Sequence, residues 1–209
     1  MWHIDIRVPL HYYGIYLVNS FFQISLKHTD RYPLPIVNKV IEPIIKCYKS
    51  VEELFMFKKL ISLIICIFIP LAVGGLSAFL SRDAMNYNQI IKPDFAPPAS
   101  VFPIVWTILY VLMGISSYII CSSDNAMRQS ALNWYAIQLL FNFIWSLIFF
   151  NLQNYLFAFI WLIGLIICIC IMIIKFYKIS PIAAYLQIPY LLWCIFAAYL
   201  NFNIYLLNK

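Results

Sequence analysis

Charge is scarce in this sequence. Only 11% of its 209 residues are Asp, Glu, Lys or Arg, against roughly 25% in soluble domains. Hydrophobic residues make up 64%, and the mean hydropathy is +0.87. A soluble chain of this length could not hide so much apolar surface, so lipid is the solvent for most of it. Histidine is absent beyond His28; the other two are His3 and His11. A bis-His haem or a His-based zinc site is thereby excluded from the rest of the chain. The apolar segments hold no carboxylate pair and no Ser-His or Cys-His arrangement, so the residues give catalysis little support. They hold no ionisable residue of the kind a proton-coupled pump places in a span. No Gly-rich phosphate loop is present, and Gly74-Gly75 reads instead as a close-packing site between helices. The six cysteines form no C-x-x-C pair, and Cys168 and Cys170 sit mid-run as small hydrophobes, so no metal site is expected. The net charge of +6 comes from dispersed lysines and arginines. These suit anionic headgroups and point away from nucleic acid.

Four stretches carry no charge at all: Leu60–Ser81, Phe95–Ser123, Gln129–Ile174 and Ile179–Asn208. A spanning helix needs about 20 residues, and the third stretch holds two spans joined at the polar break 151–154. Backbone groups in lipid must pair internally, so helices are expected. The prediction is an all-α integral membrane protein, a five-helix bundle over 60–209, with helices at about 60–80, 100–121, 131–151, 154–176 and 182–207. No internal repeat of the inverted-transporter kind is visible.

Residues 1–59 hold eight of the 14 basic residues and form a separate extension. Val37, Val40, Ile41, Ile44, Ile45, Tyr48 and Val51 recur at helical spacing with charged residues between them. That pattern reads as an amphipathic helix on the membrane surface, started or kinked by Pro43. Val8–Leu26 reads as a sixth span, an interfacial segment or an uncleaved targeting signal, and the interfacial reading is preferred. Lys46, Lys49, Lys58, Lys59, Arg128, Lys175 and Lys178 fall on the N-terminal side of the bundle. In a bacterial membrane the positive-inside rule puts that side in the cytoplasm.

Advancing 100° per residue gathers polar and aromatic residues into stripes. The second helix offers Trp106, Tyr110, Met113 and Ser117. The third offers Gln138, Asn142, Trp145 and Phe149. The fifth offers Gln187, Tyr190, Cys194, Ala198, Asn201 and Tyr205, with Trp193 flanking. Amides facing lipid are costly, so these stripes should face inward. Two readings stay open: interhelical hydrogen-bonding glue, or a pocket for a flat, mostly apolar ligand.

Three runs then carry a resemblance. They are Lys92-Pro-Asp-Phe-Ala-Pro-Pro-Ala-Ser-Val-Phe-Pro-Ile-Val-Trp-Thr-Ile-Leu-Tyr-Val-Leu-Met-Gly114, Gln138-Leu-Leu-Phe-Asn-Phe-Ile-Trp-Ser-Leu-Ile-Phe-Phe150, and Pro189-Tyr-Leu-Leu-Trp193 followed by Leu200-Asn201. In this order and spacing they resemble the signature motifs of the translocator-protein family (TspO/MBR, peripheral-type benzodiazepine receptors) over about residues 60–209. The resemblance implies a five-helix bundle, commonly dimeric, that binds porphyrins of the protoporphyrin IX type. In mitochondrial members it also implies cholesterol and benzodiazepine-type ligands.

Carried over by motif, Trp106, Tyr110, Asn142, Trp145, Phe150 and Trp193 would line the ligand cavity. Tyr87, Pro97 and Pro98 would belong to its lid. The resemblance shifts the weighing of the stripes from glue to pocket. Trp106 and Trp193 match tryptophans implicated in light-dependent porphyrin degradation by bacterial relatives. Leu200, Tyr205 and Lys209 fit the loose cholesterol pattern. The chain departs from the family at Asn86-Tyr87, where a Trp-Tyr pair is common, and at Phe95, where a Trp is common.

The expected function is that of a membrane receptor or regulator binding porphyrins, and possible sterols, inside the bundle, with no cofactor required. A transporter of porphyrin or another apolar solute and a light-dependent porphyrin-degrading enzyme are the alternatives. A multi-pass location follows, in a bacterial membrane or the mitochondrial outer membrane.

Overall fold

The computed structural model describes residues 34–82 and 90–209, with side chains from Glu42 onward. Val8–Leu26, the three histidines and Tyr87 lie outside the described residues, as do the side chains at positions 37, 40 and 41 of the expected amphipathic face. The chain divides into two compact units, residues 1–61 and 62–209.

In the first unit residues 34–61 are helical. They open helix α1 (Leu34–Ser81), which begins ahead of Pro43 rather than at it. From Glu42 to Phe55 one arc carries Glu42, Lys46, Lys49 and Glu53, and the opposite arc carries Ile44, Val51, Leu54 and Phe55. These side chains are exposed on both arcs. Lys59 lays its ammonium 4.6 Å from the centroid of the Phe55 ring, a cation–π contact that shields an otherwise open aromatic.

The second unit is a bundle made of the end of α1, then α2 (Val101–Cys121), α3 (Arg128–Ser146), α4 (Tyr155–Tyr177), a short α5 (Pro181–Tyr185) and α6 (Ile188–Leu207). Among the described residues, five segments are long and apolar enough to cross a bilayer, in line with the five expected spans. Helix α4 packs against both α3 and α6 and supplies much of the core through Leu162, Leu165, Ile169, Met172 and Phe176. Over residues 62–81, α1 buries only Cys66, Pro70, Ser77 and Ser81. Spacings of four, seven and four residues put these on one narrow stripe.

The same stripe explains how α1 docks. A Cβ on Gly114 of α2 would strike the Cα of Ile67 and lie 2.9 Å from the carbonyl oxygen of Cys66, so the two backbones touch there. A Cβ on Gly74 would enter the Tyr110 ring. Gly74 is therefore the close-packing glycine of the Gly74-Gly75 pair, whereas a Cβ on Gly75 would meet nothing within 4 Å.

Two expected helices differ in detail. The third does not stay α-helical to residue 151, because Leu147–Asn151 forms one π-helical turn. Gln153 then takes a positive φ of 49°, and Asn154 caps α4 by accepting from the amide of Phe157 at 3.1 Å. The expected helix 182–207 is two pieces. Pro189 has no amide proton to give the carbonyl of Tyr185, so the helix is interrupted at Leu186-Gln187 and restarts with Pro189 in the first turn of α6, where no such bond is needed. Ser180 caps α5, accepting from Ala183 at 3.4 Å.

Candidate functional site: a cavity inside the bundle

The three stripes converge, and their polar atoms bond one another first. Tyr110 on α2 donates to Oδ1 of Asn142 on α3 at 3.1 Å. Nδ2 of Asn142 donates to the Tyr190 hydroxyl on α6 at 3.1 Å. That hydroxyl donates to Oε1 of Gln138 at 2.8 Å, and the Gln138 amide approaches the Met113 sulfur at 3.9 Å. Each member is nearly or fully inaccessible to solvent. Gln138 and Tyr190 therefore act as glue, satisfying polar groups that lipid could not. Asn142 and Tyr110 take part in this relay and also face open space.

That space is a cavity of about 480 Å³, within the usual span of roughly 300–1,000 Å³ for small-molecule pockets. Helix α1 contributes small residues to its wall: Gly74, Gly75, Ser77 and Ala78, with Leu71. Helix α2 contributes Phe102, Pro103, Trp106, Thr107 and Tyr110, and α3 with its π turn contributes Asn142, Trp145, Ser146, Phe149 and Phe150. Ala197, Leu200, Asn201 and Ile204 of α6 close the far side. Trp106 stacks on Tyr110 with centroids 5.4 Å apart and meets Tyr190 edge-on at 6.1 Å. Trp145 is oriented by its Nε1–H, which donates to Oδ1 of Asn201 at 3.3 Å. Asn201 is anchored in turn by donating to the carbonyl of Tyr155 at 2.8 Å. Among the described residues, no Asp, Glu, Lys, Arg or His lines the cavity. The arrangement can bind by stacking and by a few amide and hydroxyl contacts.

Of the residues picked out in the sequence, Trp106, Tyr110, Asn142, Trp145 and Phe150 come together on this wall. Trp193 does not. It lines an outer groove between α2 and α6 with Ile108, Leu192 and Phe196, and reaches the cavity only through an edge-on contact with Phe102 at 6.0 Å. Pro97 and Pro98 precede Ala99, the one residue of the described loop on the wall. Leu200 faces inward, buried on the cavity, while Lys209 is exposed at the chain end and Tyr205 is half-buried. The three positions of the loose sterol pattern therefore do not share one face.

Several contributors carried no signal in the sequence. Asn208 clasps the loop, accepting from the amide of Ile91 at 3.2 Å and donating to its carbonyl at 2.8 Å. Phe95 stacks on Tyr199 at 5.0 Å. Asn151 ties the π turn to α1 by donating to the carbonyl of Leu80 at 3.1 Å. A one-residue amide near a terminus, or a wall of Gly, Ser and Ala, leaves no periodic pattern to read.

Fold and site together define a multi-pass helical membrane protein with an aromatic-walled cavity inside its bundle. Residues 66–207 match the TspO/MBR family as a whole. The chain is similar to the "Tryptophan-rich protein TspO" of Archaeoglobus fulgidus, 39% identical over 153 residues that cover 71% of this chain and 98% of that protein. It is 36% identical over 157 residues to the "Tryptophan-rich protein TspO" of Chlorobaculum tepidum, covering 73% and 99%. It is 32% identical over 146 residues to the "Translocator protein" of Sus scrofa, covering 66% and 86%. The chain belongs to the TspO/MBR family.

Proposed function

We propose that this protein is a membrane receptor or regulator that takes a flat, largely apolar tetrapyrrole of the protoporphyrin IX type into the bundle cavity. One observation carries the reading: Trp106, Tyr110 and Trp145 form an aromatic wall beside an Asn142 amide that is already oriented by two hydrogen bonds. A conjugated ring system gains from stacking on such a wall, and a preset amide needs no reorganisation to meet one polar edge. The test is titration of the reconstituted protein with protoporphyrin IX, followed by Trp quenching. Trp106→Phe should weaken binding about three- to tenfold, the value of one stacking contact. Trp193→Phe should change it less, because its indole lies behind Phe102. Parental affinity in Trp106→Phe removes this pocket from consideration.

A second reading is light-dependent chemistry on the bound porphyrin. Trp106 favours it, since its indole lies on the cavity wall between two phenol rings. Illumination of the complex under air should then yield a new chromophore only with protein present. Equal bleaching by the Trp106→Phe variant eliminates a role for that residue.

A further inference from the structure

We propose that the cavity is loaded sideways from the bilayer, through a fixed slot between α1 and α2, by flat apolar molecules already dissolved in lipid. The inference rests on reading the cavity as a ligand site.

Five residues line the cavity and are at the same time exposed on the outside of the bundle: Gly75 and Ala78 of α1, Ala99 just before α2, and Pro103 and Thr107 of α2. The geometry of the two helices explains why an opening falls there. They touch backbone to backbone at Gly114 and Ile67, and the next level is filled by the Tyr110 ring against Gly74. Beyond that level the α1 wall shrinks to Gly75 and Ala78, and a Cβ at Gly75 would meet no described atom within 4 Å. On its other flank α1 is held by the Asn151–Leu80 hydrogen bond, so the slot needs no helix movement to exist. The loop side is secured differently. Residues 90–95 are clasped to α6 by the paired Asn208–Ile91 hydrogen bonds and the Phe95–Tyr199 stack.

The chemistry of the rim selects the traffic. Gly75, Ala78 and Pro103 present only carbon toward a passing molecule, and the Thr107 hydroxyl is already donated to the carbonyl of Pro103 at 2.7 Å. Thr107 lies six residues into α2, about 9 Å along the helix at 1.5 Å per residue. A hydrated solute would have to shed its water against this rim with nothing in return. A flat hydrocarbon-like molecule in the bilayer sheds none, and crosses from one apolar medium to another.

The test uses the full chain in lipid vesicles with protoporphyrin IX delivered in the vesicle lipid. A Cβ at Gly75 meets no described atom within 4 Å, so Gly75→Trp is the substitution chosen to add bulk at the slot. Association and dissociation should both slow about tenfold, equivalent to about 1.4 kcal/mol on the barrier. Asn208→Ala, which releases the loop, should leave both rates as they are. Parental rates in Gly75→Trp, or faster exchange in Asn208→Ala, overturn the slot in favour of the loop side. A weaker Kd without slower exchange also overturns it, since the added ring would then be occupying the cavity itself. If the parent shows no saturable quenching, the tetrapyrrole reading fails. The slot is then decided by a nitroxide carried on a non-natural amino acid at position 78. Lipid-dissolved oxygen should relax it, and relaxation by a water-soluble nickel chelate instead overturns a bilayer opening.

Discussion

Tyr190 of α6 donates a 2.8 Å hydrogen bond to Gln138 of α3, deep in the bundle, while its oxygen accepts from Asn142 at 3.1 Å. One hydroxyl thus joins two residues a turn apart on the facing helix and keeps the α3–α6 register.

Tyr190→Phe removes that junction and strands Oε1 of Gln138 and Nδ2 of Asn142. A buried polar group left unmatched costs about 1–3 kcal/mol in water-soluble proteins, and interhelical bonds in lipid average about 0.6. The expected loss is about 1–2 kcal/mol, measured by reversible unfolding in bicelles. Gln138→Met in the same background should recover part of it, because it removes the stranded acceptor.

The three glycines near α1 should rank by what stands against them. Gly114→Ala drives a methyl into the Ile67 backbone and should cost about 1–3 kcal/mol, the range for overpacking. Gly74→Ala meets the Tyr110 ring, a side chain that can shift, and should cost less but alter the cavity wall. Gly75→Ala should be close to neutral. Thermal unfolding of the three variants in one detergent checks the order.

Gln153 holds a left-handed φ of 49° between the π turn and α4. Residues with a Cβ are disfavoured there by about 1–2 kcal/mol. Gln153→Gly should therefore stabilise the protein by about 0.5–1 kcal/mol after the extra entropy of glycine in the unfolded chain is subtracted. A fall in the unfolding midpoint would contradict this account of the turn.

Asn208→Ala should leave the bundle folded and speed amide exchange at Ile91, whose N–H loses its acceptor at 3.2 Å. Hydrogen exchange followed by mass spectrometry reads this directly. Unchanged protection over residues 90–92 would mean the clasp does not hold the loop.

Much of this was visible in the sequence because lipid makes patterns strict. Amides and phenols cannot face hydrocarbon, so a 100° periodicity of Gln138 and Asn142, or of Tyr190, Cys194 and Asn201, places each inward, and all five are buried. The stripe of Trp106 and Tyr110 likewise reaches the cavity. Trp193 shows where the method stops. Periodicity already set it beside its stripe, and its expected place on the wall came from the motif; α6 buries Tyr190 and leaves Trp193 on the outer groove. The π turn at Leu147–Asn151 was hidden because one extra residue per turn changes no hydropathy pattern. The α1 wall was hidden because its contribution is the absence of side chains.

A wall without charge has an electrical consequence. Moving one elementary charge through a membrane potential of 100 mV changes its energy by about 2.3 kcal/mol, and a cavity lined by Asp, Glu, Lys, Arg or His would feel that field. Among the described residues, none of them lines this one. If a neutral molecule binds there, its occupancy should not change when the membrane is energised.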